Sequence, residues 1–482
     1  MDYSASNQSL WNPMTQLGIL AAAILLANLL HRHVRLVRRA MIPVAVLAGF
    51  LLLLLKLLGL PLDVELLEML VFHGIALGFI AMSLRVPPER EKGGGDLTGL
   101  RSGAVIVSTY LVQGVAGLLI SLILSATVMP QLFHAAGMLL PMGYGQGPGQ
   151  ANNVGSTYEA LGFAGGRSFG MSLAAAGYLV ACVVGVVILN VLRRRGRLTD
   201  VAPASRGQLA RDFFVGEENA SVSASIDCLS LQLAKVLLTY LATFLVTWGL
   251  TSALAAAAPG VAKTVAPLLW GFNFIIGSAL AIGLRTLFGR NRKGKEHGAY
   301  VQTNYLLNRV SGFFFDIMIV AGIASIEPED IRGLWPAFAL LAVAGGVVTW
   351  LHLRVVCKAV YRDYYYQGLI SMFGMLTGTI SSGVLLLREI DPELSTPAAN
   401  NLITGSSFGI VLGAPILVLV SLAARSEALC WITLGLIVVY LCLLLLGIFR
   451  LGKKGKKRRG RRCGCRWPHP PPALAPAVPP PP

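Results

Sequence analysis

The chain has 482 residues, of which 55% are hydrophobic and 13% are charged, and its mean hydropathy is +0.67. Soluble domains carry roughly 25% charged residues, so this composition excludes a soluble protein and favours an integral membrane protein. The net charge of +17 is concentrated between apolar runs and after Phe449. That distribution is typical of membrane topology, and we expect no nucleic-acid partner.

Hydropathy predicts eleven membrane-spanning helices, because a spanning helix needs about 20 mostly apolar residues. In the first half of the chain the predicted helices are Met14–Leu30, Met41–Leu58, Leu66–Leu84, Ala104–Val128 and Ser168–Leu192. In the second half they are Leu233–Ala257, Ala266–Leu284, Phe313–Ile326, Leu334–Val356, Leu402–Ala423 and Leu429–Phe449. The eighth helix is short and could begin before Phe313.

The charges of the loops alternate along the chain. The loops after the first, third and fifth helices are basic, whereas the alternate loops are acidic, with Asp63 and Glu65 after the second helix and Glu327 after the eighth. Basic loops face the cytoplasm. The pattern therefore predicts a multi-pass protein of the plasma (cytoplasmic) membrane, with its N-terminus outside and its C-terminus in the cytoplasm.

Two stretches, 129–167 and 363–401, are rich in Gly, Ser, Thr and Pro but also contain short apolar runs. Re-entrant hairpins fit both, because irregular backbone at membrane depth must be buried in protein or line a cavity. Each stretch follows four helices and precedes a fifth, and an odd number of crossings inverts the second unit. The sequence thus predicts an all-α membrane fold of two inverted five-helix repeats, each with a re-entrant hairpin, plus one extra C-terminal helix.

This pattern divides the chain into five regions. Residues 1–192 form the first repeat, 193–231 a cytoplasmic linker, 232–423 the second repeat and 424–450 the extra helix. Residues 451–482 form a basic, Pro-rich tail that we expect to be disordered. Such a tail either attracts anionic membrane lipid or serves only to anchor the topology.

The first hairpin is the main candidate for a substrate site. Glycines leave backbone groups bare for a cation or a carboxylate, and amide side chains offer donors and acceptors without charge. The tips of both hairpins should meet near the middle of the membrane. The alternative is a Gly-rich surface turn. The predicted substrate-binding residues of this hairpin are Gly145, Gln146, Gly147, Gly149, Gln150, Asn152, Asn153 and Ser156.

The second hairpin adds hydroxyl and backbone oxygens, which suit sodium as a hard cation. The alternative is that these hydroxyls bond to carbonyls of their own helices. Predicted substrate ligands here are Thr377, Gly378 and Thr379, and predicted ion-coupling residues are Ser381, Ser382, Asn400 and Asn401.

Asp316 is a further candidate for ion coupling. It is the one acidic residue deep in an apolar stretch, and intramembrane carboxylates are functional candidates by default. Even if its helix starts early, we expect Asp316 within two turns of the cytoplasmic end, where it could simply be hydrated or pair with Arg309.

No His-Glu-x-x-His motif and no phosphate-binding Gly-rich loop ending in Lys-Ser/Thr occurs in the sequence. The chain is therefore not expected to be an enzyme, and we predict no cofactor other than sodium as the coupling ion.

At the hairpins the sequence resembles the sodium/glutamate symporter family, over most of Met14–Ala423. The first hairpin of that family shows a Gly-Gly-His-Gly-Thr pattern, and Gln146 stands here where His is usual; Gly374 and Thr377–Thr379 match the second hairpin in part. The resemblance implies opposed re-entrant hairpins and a homodimeric, elevator-like architecture. Further supporting stretches are Pro43–Gly49, Leu70–Gly78 and Asn308–Ala324.

The resemblance implies sodium-coupled symport of glutamate or a related small carboxylate or amino acid, by alternating access. The partners would be a small anionic substrate, sodium, membrane lipid and a second copy of the chain. Two alternatives stay open: a proton-coupled transporter or exporter of another organic anion, and a non-transporting membrane receptor or scaffold of the same fold.

Overall fold

A computed structural model describes residues 3–4, 7–35, 37, 42–85, 98–198, 222–290, 297–391 and 396–462. Within these ranges the chain is helical and contains no strand. Nine of the helices are long and apolar enough to cross a membrane, and two further apolar helices are shorter. The protein is therefore an all-α, multi-pass membrane protein. Most of the predicted linker and the end of the tail lie outside the described residues.

The first half of the chain forms six helices. Polar side chains start two of them: Asn7 accepts a hydrogen bond from the backbone N–H of Leu10, and Asp63 accepts one from that of Leu66. The helices are α1 (Gln8–His33), α2 (Val44–Leu57), α3 (Val64–Leu84), α4 (Thr98–Ala126), α5 (Pro148–Glu159) and α6 (Gly166–Arg194).

The second half forms nine helices. They are α7 (Val222–Ala257), α8 (Pro259–Gly271), α9 (Asn273–Arg290), α10 (His297–Ala324), α11 (Trp335–Val360), α12 (Tyr365–Thr377), α13 (Ile380–Arg388), α14 (Ala398–Ala423) and α15 (Glu427–Arg462).

All eleven predicted helices are present among the described residues, with two differences. The seventh, predicted as one helix from Ala266 to Leu284, is broken at Phe272 into α8 and α9. The eighth begins at His297, well before Phe313. Its first half carries polar residues such as Asn304 and Arg309, which lower the mean hydropathy of that segment below the value expected of a spanning helix.

Each predicted hairpin stretch contains a helix break. In the first, a π-helical turn at Pro141–Gly145 leads to the break at Gln146–Gly147, after which α5 runs back. Both arms pack along α6, because Gly143 and Ala151 each lie against the same turn of that helix, near Gly170. The arms are therefore antiparallel, and we call this element hairpin 1.

The second break, at Gly378–Thr379, separates α12 from α13. These helices pack antiparallel, since Gly374 of α12 lies against Gly383 of α13. We call this element hairpin 2.

The helices are organised in two bundles, and each half of the chain contributes to both in the same way. Bundle 1 contains α1–α3 and α7–α10, and α3 packs most extensively on α10. Bundle 2 contains α4–α6 and α11–α15, and α4 packs most extensively on α14. The first three spanning helices of each half thus lie in bundle 1, and the last two, with the hairpin, lie in bundle 2. Helix α15 packs on α4 and α14.

Hairpin 1 forms the main contact between the bundles, through α5 packed on α3, α8 and α10. Gly149 of α5 leaves no room for a side chain between Ile75 and Met318, and Pro148 packs on Gly322. Asn153 of α5 donates a hydrogen bond from Nδ2 to the backbone carbonyl of Gly271, at 2.6 Å. That bond supplies a partner for a carbonyl at the end of α8, where the helix breaks.

The ends of the helices form two faces of opposite charge. The acidic face contains Asp63, Glu68, Glu159, Glu327 and Asp330. The basic face contains Arg85, Arg101, Arg193 and Arg285. Hairpin 1 begins and ends at the acidic face, and hairpin 2 at the basic face, as its contact between Glu389 and Arg193 shows.

Candidate functional site

A cavity of about 220 Å³ lies between the two bundles and reaches from the hairpin breaks to the basic face. Bundle 1 contributes α3, the start of α9 and the inner surface of α10. Bundle 2 contributes both hairpin breaks together with α4 and α14. Of the residues predicted from sequence, the cavity is lined by Gly145, Gln146, Gly147, Gln150, Asp316, Gly378 and Thr379.

The break in hairpin 1 depends on its glycines. Gly147 has a φ of 87°, a conformation that residues with a side chain rarely adopt. Gly145 packs so closely on the ring of Tyr110 that a Cβ would not fit. Gln150, in the first turn of α5, lines the cavity with its Oε1 unpaired.

The break in hairpin 2 is held by α4. Gln113 donates from Nε2 to the carbonyl of Leu376, at 3.0 Å, and to Oγ1 of Thr349, at 2.7 Å. Its Oε1 faces Gly145 of hairpin 1. One amide thus lies between the two breaks. At the break itself, the Oγ1 of Thr379 is buried without a hydrogen-bond partner.

Buried side-chain oxygens without a partner accumulate around the two breaks. Such groups are rare in native structures, and each normally faces a ligand, an ion or ordered water. Their clustering makes the region around the breaks polar enough to hold a ligand, an ion or ordered water. The oxygens belong to Gln113, Gln150, Asn152, Ser172, Tyr178, Thr379 and Ser382.

Asp316 lies in the second half of α10, and its side chain is exposed in the cavity. The expectation that it lies within two turns of the N-terminal end of its helix, which is the predicted cytoplasmic end, is wrong, because α10 begins at His297 and the apolar span at Asn304. The suggested partner, Arg309, instead packs over the ring of Tyr305. Asp316 is therefore available to a ligand or an ion in the cavity.

Several predicted residues lie near the breaks without lining the cavity. Gly149 and Asn153 contact bundle 1 as described above, and Asn152 and Ser382 are buried. Thr377 donates its hydroxyl to the carbonyl of Phe373, the bonding pattern considered as the alternative for these hydroxyls. Ser156 is half-buried near the acidic end of α5.

Asn400 and Asn401 are not brought to the breaks. They lie at the start of α14, where Asn400 is exposed and Asn401 donates from Nδ2 to Oη of Tyr364, at 2.7 Å. Ser381 lies in the first turn of α13, and its side chain is outside the described part of the chain.

Sequence reasoning missed one residue that lines the cavity and one that packs behind the break in hairpin 1. Arg85 belongs to the basic loop predicted after the third helix, yet it lines the cavity beside Asn308. Tyr178 points its hydroxyl towards Gly147, 3.8 Å from the position of a Cβ there. Each of these residues belongs to an ordinary apolar helix or its end, so no local pattern distinguishes it.

A second cavity, of about 540 Å³, opens at the acidic face. There Arg167 at the start of α6 pairs with Glu68 of α3 and with Glu159 at the end of α5. Ser168 donates from Oγ to Asp330, at 2.8 Å. The packing of α5 against bundle 1 separates this cavity from the first one.

No protein-family model matches the chain, and no curated protein matches its sequence.

Proposed function

We propose that the chain is a secondary active transporter that couples sodium to the symport of glutamate or a related small carboxylate or amino acid. One observation carries the proposal: two helix breaks, one from each half of the chain, line a single cavity between two bundles. Transporters built from repeats bind substrate and ions where such broken segments meet, near the middle of the membrane.

The division of the helices supports two inverted repeats with re-entrant hairpins. Each half places three spanning helices in bundle 1 and two, with a hairpin, in bundle 2. The two hairpins start from opposite faces of the molecule. Their backbone groups are buried or face the cavity, as irregular backbone at membrane depth requires.

The position of the cavity supports alternating access. It reaches the basic face, whereas the packing of α5 and the ion pair between Arg167 and Glu68 join the bundles near the acidic face. In this proposal bundle 2 moves as the transport unit and bundle 1 stays fixed. The basic face is cytoplasmic by the positive-inside rule, which gives an outside N-terminus in a plasma membrane.

The oxygens at the breaks are candidates for the coupling ion. Sodium prefers oxygen ligands, and the hydroxyl of Thr379 and the carboxylate of Asp316 offer them in the cavity. A second candidate function is proton coupling, which the exposure of Asp316 within the cavity favours, since a carboxylate that meets no described cation can take up a proton.

A homodimer follows from the resemblance stated above, and bundle 1 is the proposed contact. Helix α7 on its outside exposes Leu237, Leu241, Phe244 and Leu245, a surface that a second copy or lipid must cover.

The test is accumulation of radiolabelled L-glutamate, with a panel of small carboxylates, in proteoliposomes that contain the purified protein. An inward sodium gradient should drive accumulation, and a potassium gradient should not. Liposomes with the Gly378→Leu variant serve as control, because Ser382 and Ala181 lie 3.0 and 3.2 Å from the position of a Cβ at Gly378, so a leucine there must displace its neighbours at the break. Accumulation driven by protons alone would favour the second candidate, and binding without flux would favour a receptor or scaffold.

A further inference from the structure

We propose that Arg85, oriented by Asn308, binds the carboxylate of the substrate at the basic end of the cavity. This assignment rests on the proposed function, in which the cavity between the bundles holds the substrate. Arg85 follows the last residue of α3, and Asn308 lies on the facing side of α10. Both residues line the cavity.

The hydrogen bonds of Arg85 fix the guanidinium but do not use all its donors. Nε donates to the carbonyl of Met82, at 2.9 Å, and Nη1 donates to Oδ1 of Asn308, at 2.5 Å. Nη2 has no partner among the described residues. A planar guanidinium with a free edge is well suited to a carboxylate.

The charge around Arg85 favours an anion. Arg285 donates to the carbonyls of Ser83 and Arg85, so a second cation lies beside the first. No carboxylate of the described ranges forms an ion pair with either of them. Burial, and to a smaller extent Arg285, lowers the pKa of Arg85 to about 10, which leaves it charged at pH 7. Burying a cation without a counter-charge costs free energy, and a bound anion offsets that cost.

The cavity also has a negative end. Asp316 lies eight residues beyond Asn308 on α10, which is about 12 Å along the helix axis. Helical side chains lean towards the N-terminus, so the carboxylate of Asp316 is displaced towards Arg85. Tyr110 and Ser406 also line this cavity. The cavity therefore suits a short linear ligand whose carboxylate points to the basic face.

The test measures thermal stabilisation of the purified full-length protein by three five-carbon compounds that differ in their end groups. The compounds are glutarate, 5-aminopentanoate and 1,5-diaminopentane. Glutarate and 5-aminopentanoate should stabilise the wild type with saturation. In Arg85→Gln the concentration for half-maximal stabilisation by these two should rise at least about tenfold, whereas Arg85→Lys should show a smaller rise because it keeps the charge.

Two further variants make the result decisive. Asn308→Asp keeps Arg85 but supplies an internal counter-charge, so it should also weaken the binding of glutarate and of 5-aminopentanoate about tenfold. This variant provides the test if Arg85→Gln does not fold. Arg309→Gln removes an exposed cation from the same helix, outside the cavity, and should bind as the wild type does.

Wild-type protein that neither carboxylate stabilises, or an Arg85→Gln variant whose affinity stays within about twofold of the wild type, would overturn the assignment. Sodium-driven flux is scored separately. Flux that survives in Arg85→Gln with unchanged KM rejects the Arg85 site and leaves the transporter standing. Carboxylate binding that depends on Arg85 without flux in the wild type rejects the transport proposal and leaves the site standing.

Discussion

The backbone carbonyl of Thr377, at the tip of hairpin 2, lies directly against the Cα of Gly177 in α6. The tip of hairpin 1 ends one residue further along the same helix, where Gly147 faces Tyr178. Helix α6 therefore holds both breaks at one level. Because the contact is between backbone atoms, neither partner can move aside by changing a rotamer.

Replacing Gly177 by Ala should destabilise the protein by about 1–3 kcal/mol, the usual cost of overpacking, and should reduce substrate binding by displacing hairpin 2. The matched control is Gly283→Ala, a helical glycine of α9 with open space around its Cα. The thermal midpoint of each of the two variants, purified in detergent, measures the loss of stability. Equal midpoints for the two variants would show that the close contact with Thr377 does not matter.

Gln150 and Asn153 lie one turn apart on α5 and should behave differently when each is replaced by Ala. Asn153→Ala leaves the Gly271 carbonyl without its partner, which typically costs about 1–3 kcal/mol, so the thermal midpoint should fall. Gln150→Ala removes an amide whose oxygen is unpaired, so the midpoint should hold while the KM for substrate rises. A fall in midpoint for Gln150→Ala alone would contradict this division.

Much of this fold is predictable because hydropathy and glycine content are local properties. The eleven helices and the breaks at Gly147 and Gly378 follow from runs of apolar residues and from stretches that cannot span a membrane. The break at Phe272 does not, because the carbonyl of Gly271 beside it is bonded by Asn153, a residue more than a hundred positions earlier in the chain.

The candidate site was predictable only in part, for the same reason. Glycines and amides near the breaks mark Gly145–Gln150 and Gly378–Thr379. Arg85 and Asn308 are brought together by the packing of α3 on α10, which no sequence window contains. The position of Asp316 was misjudged because the polar first half of α10 fell below the hydropathy expected of a spanning helix.

Asp316→Asn should separate coupling from substrate binding. The amide keeps the size of the side chain but cannot carry a negative charge or take up a proton at neutral pH. Accumulation driven by an ion gradient should therefore be lost, while exchange of labelled for unlabelled substrate continues. Glu329→Gln, an exposed carboxylate at the acidic face, is the control and should leave both intact. Gradient-driven accumulation in Asp316→Asn would exclude a coupling role.

Cysteines introduced at Asp63 or Glu329 should react with a membrane-impermeant maleimide in intact cells, and a cysteine at Arg194 should react only after permeabilisation. The reason is the opposite charge of the two faces to which these residues belong. The background protein has its natural cysteines replaced. Labelling of the Arg194 position in intact cells would contradict the proposed orientation and, with it, the assignment of the basic face to the cytoplasm.

The ion pair between Arg167 and Glu68 joins bundle 2 to bundle 1 at the acidic face. As a half-exposed pair it adds little to stability, but its position makes it a test of relative movement. If the acidic end of the interface must open during transport, a short disulfide-containing cross-link between cysteines at 68 and 167 should abolish flux, and reduction with dithiothreitol should restore it.

The same arginine supplies the control, because Arg167 also pairs with Glu159, which belongs to bundle 2. A cross-link between cysteines at 159 and 167 stays within one bundle and uses residues at the same face and of the same type. We expect it to leave flux unchanged. Equal loss of flux for both pairs would mean that the cross-linker acts locally, and full flux with the 68–167 link closed would show that the bundles do not separate at the acidic face.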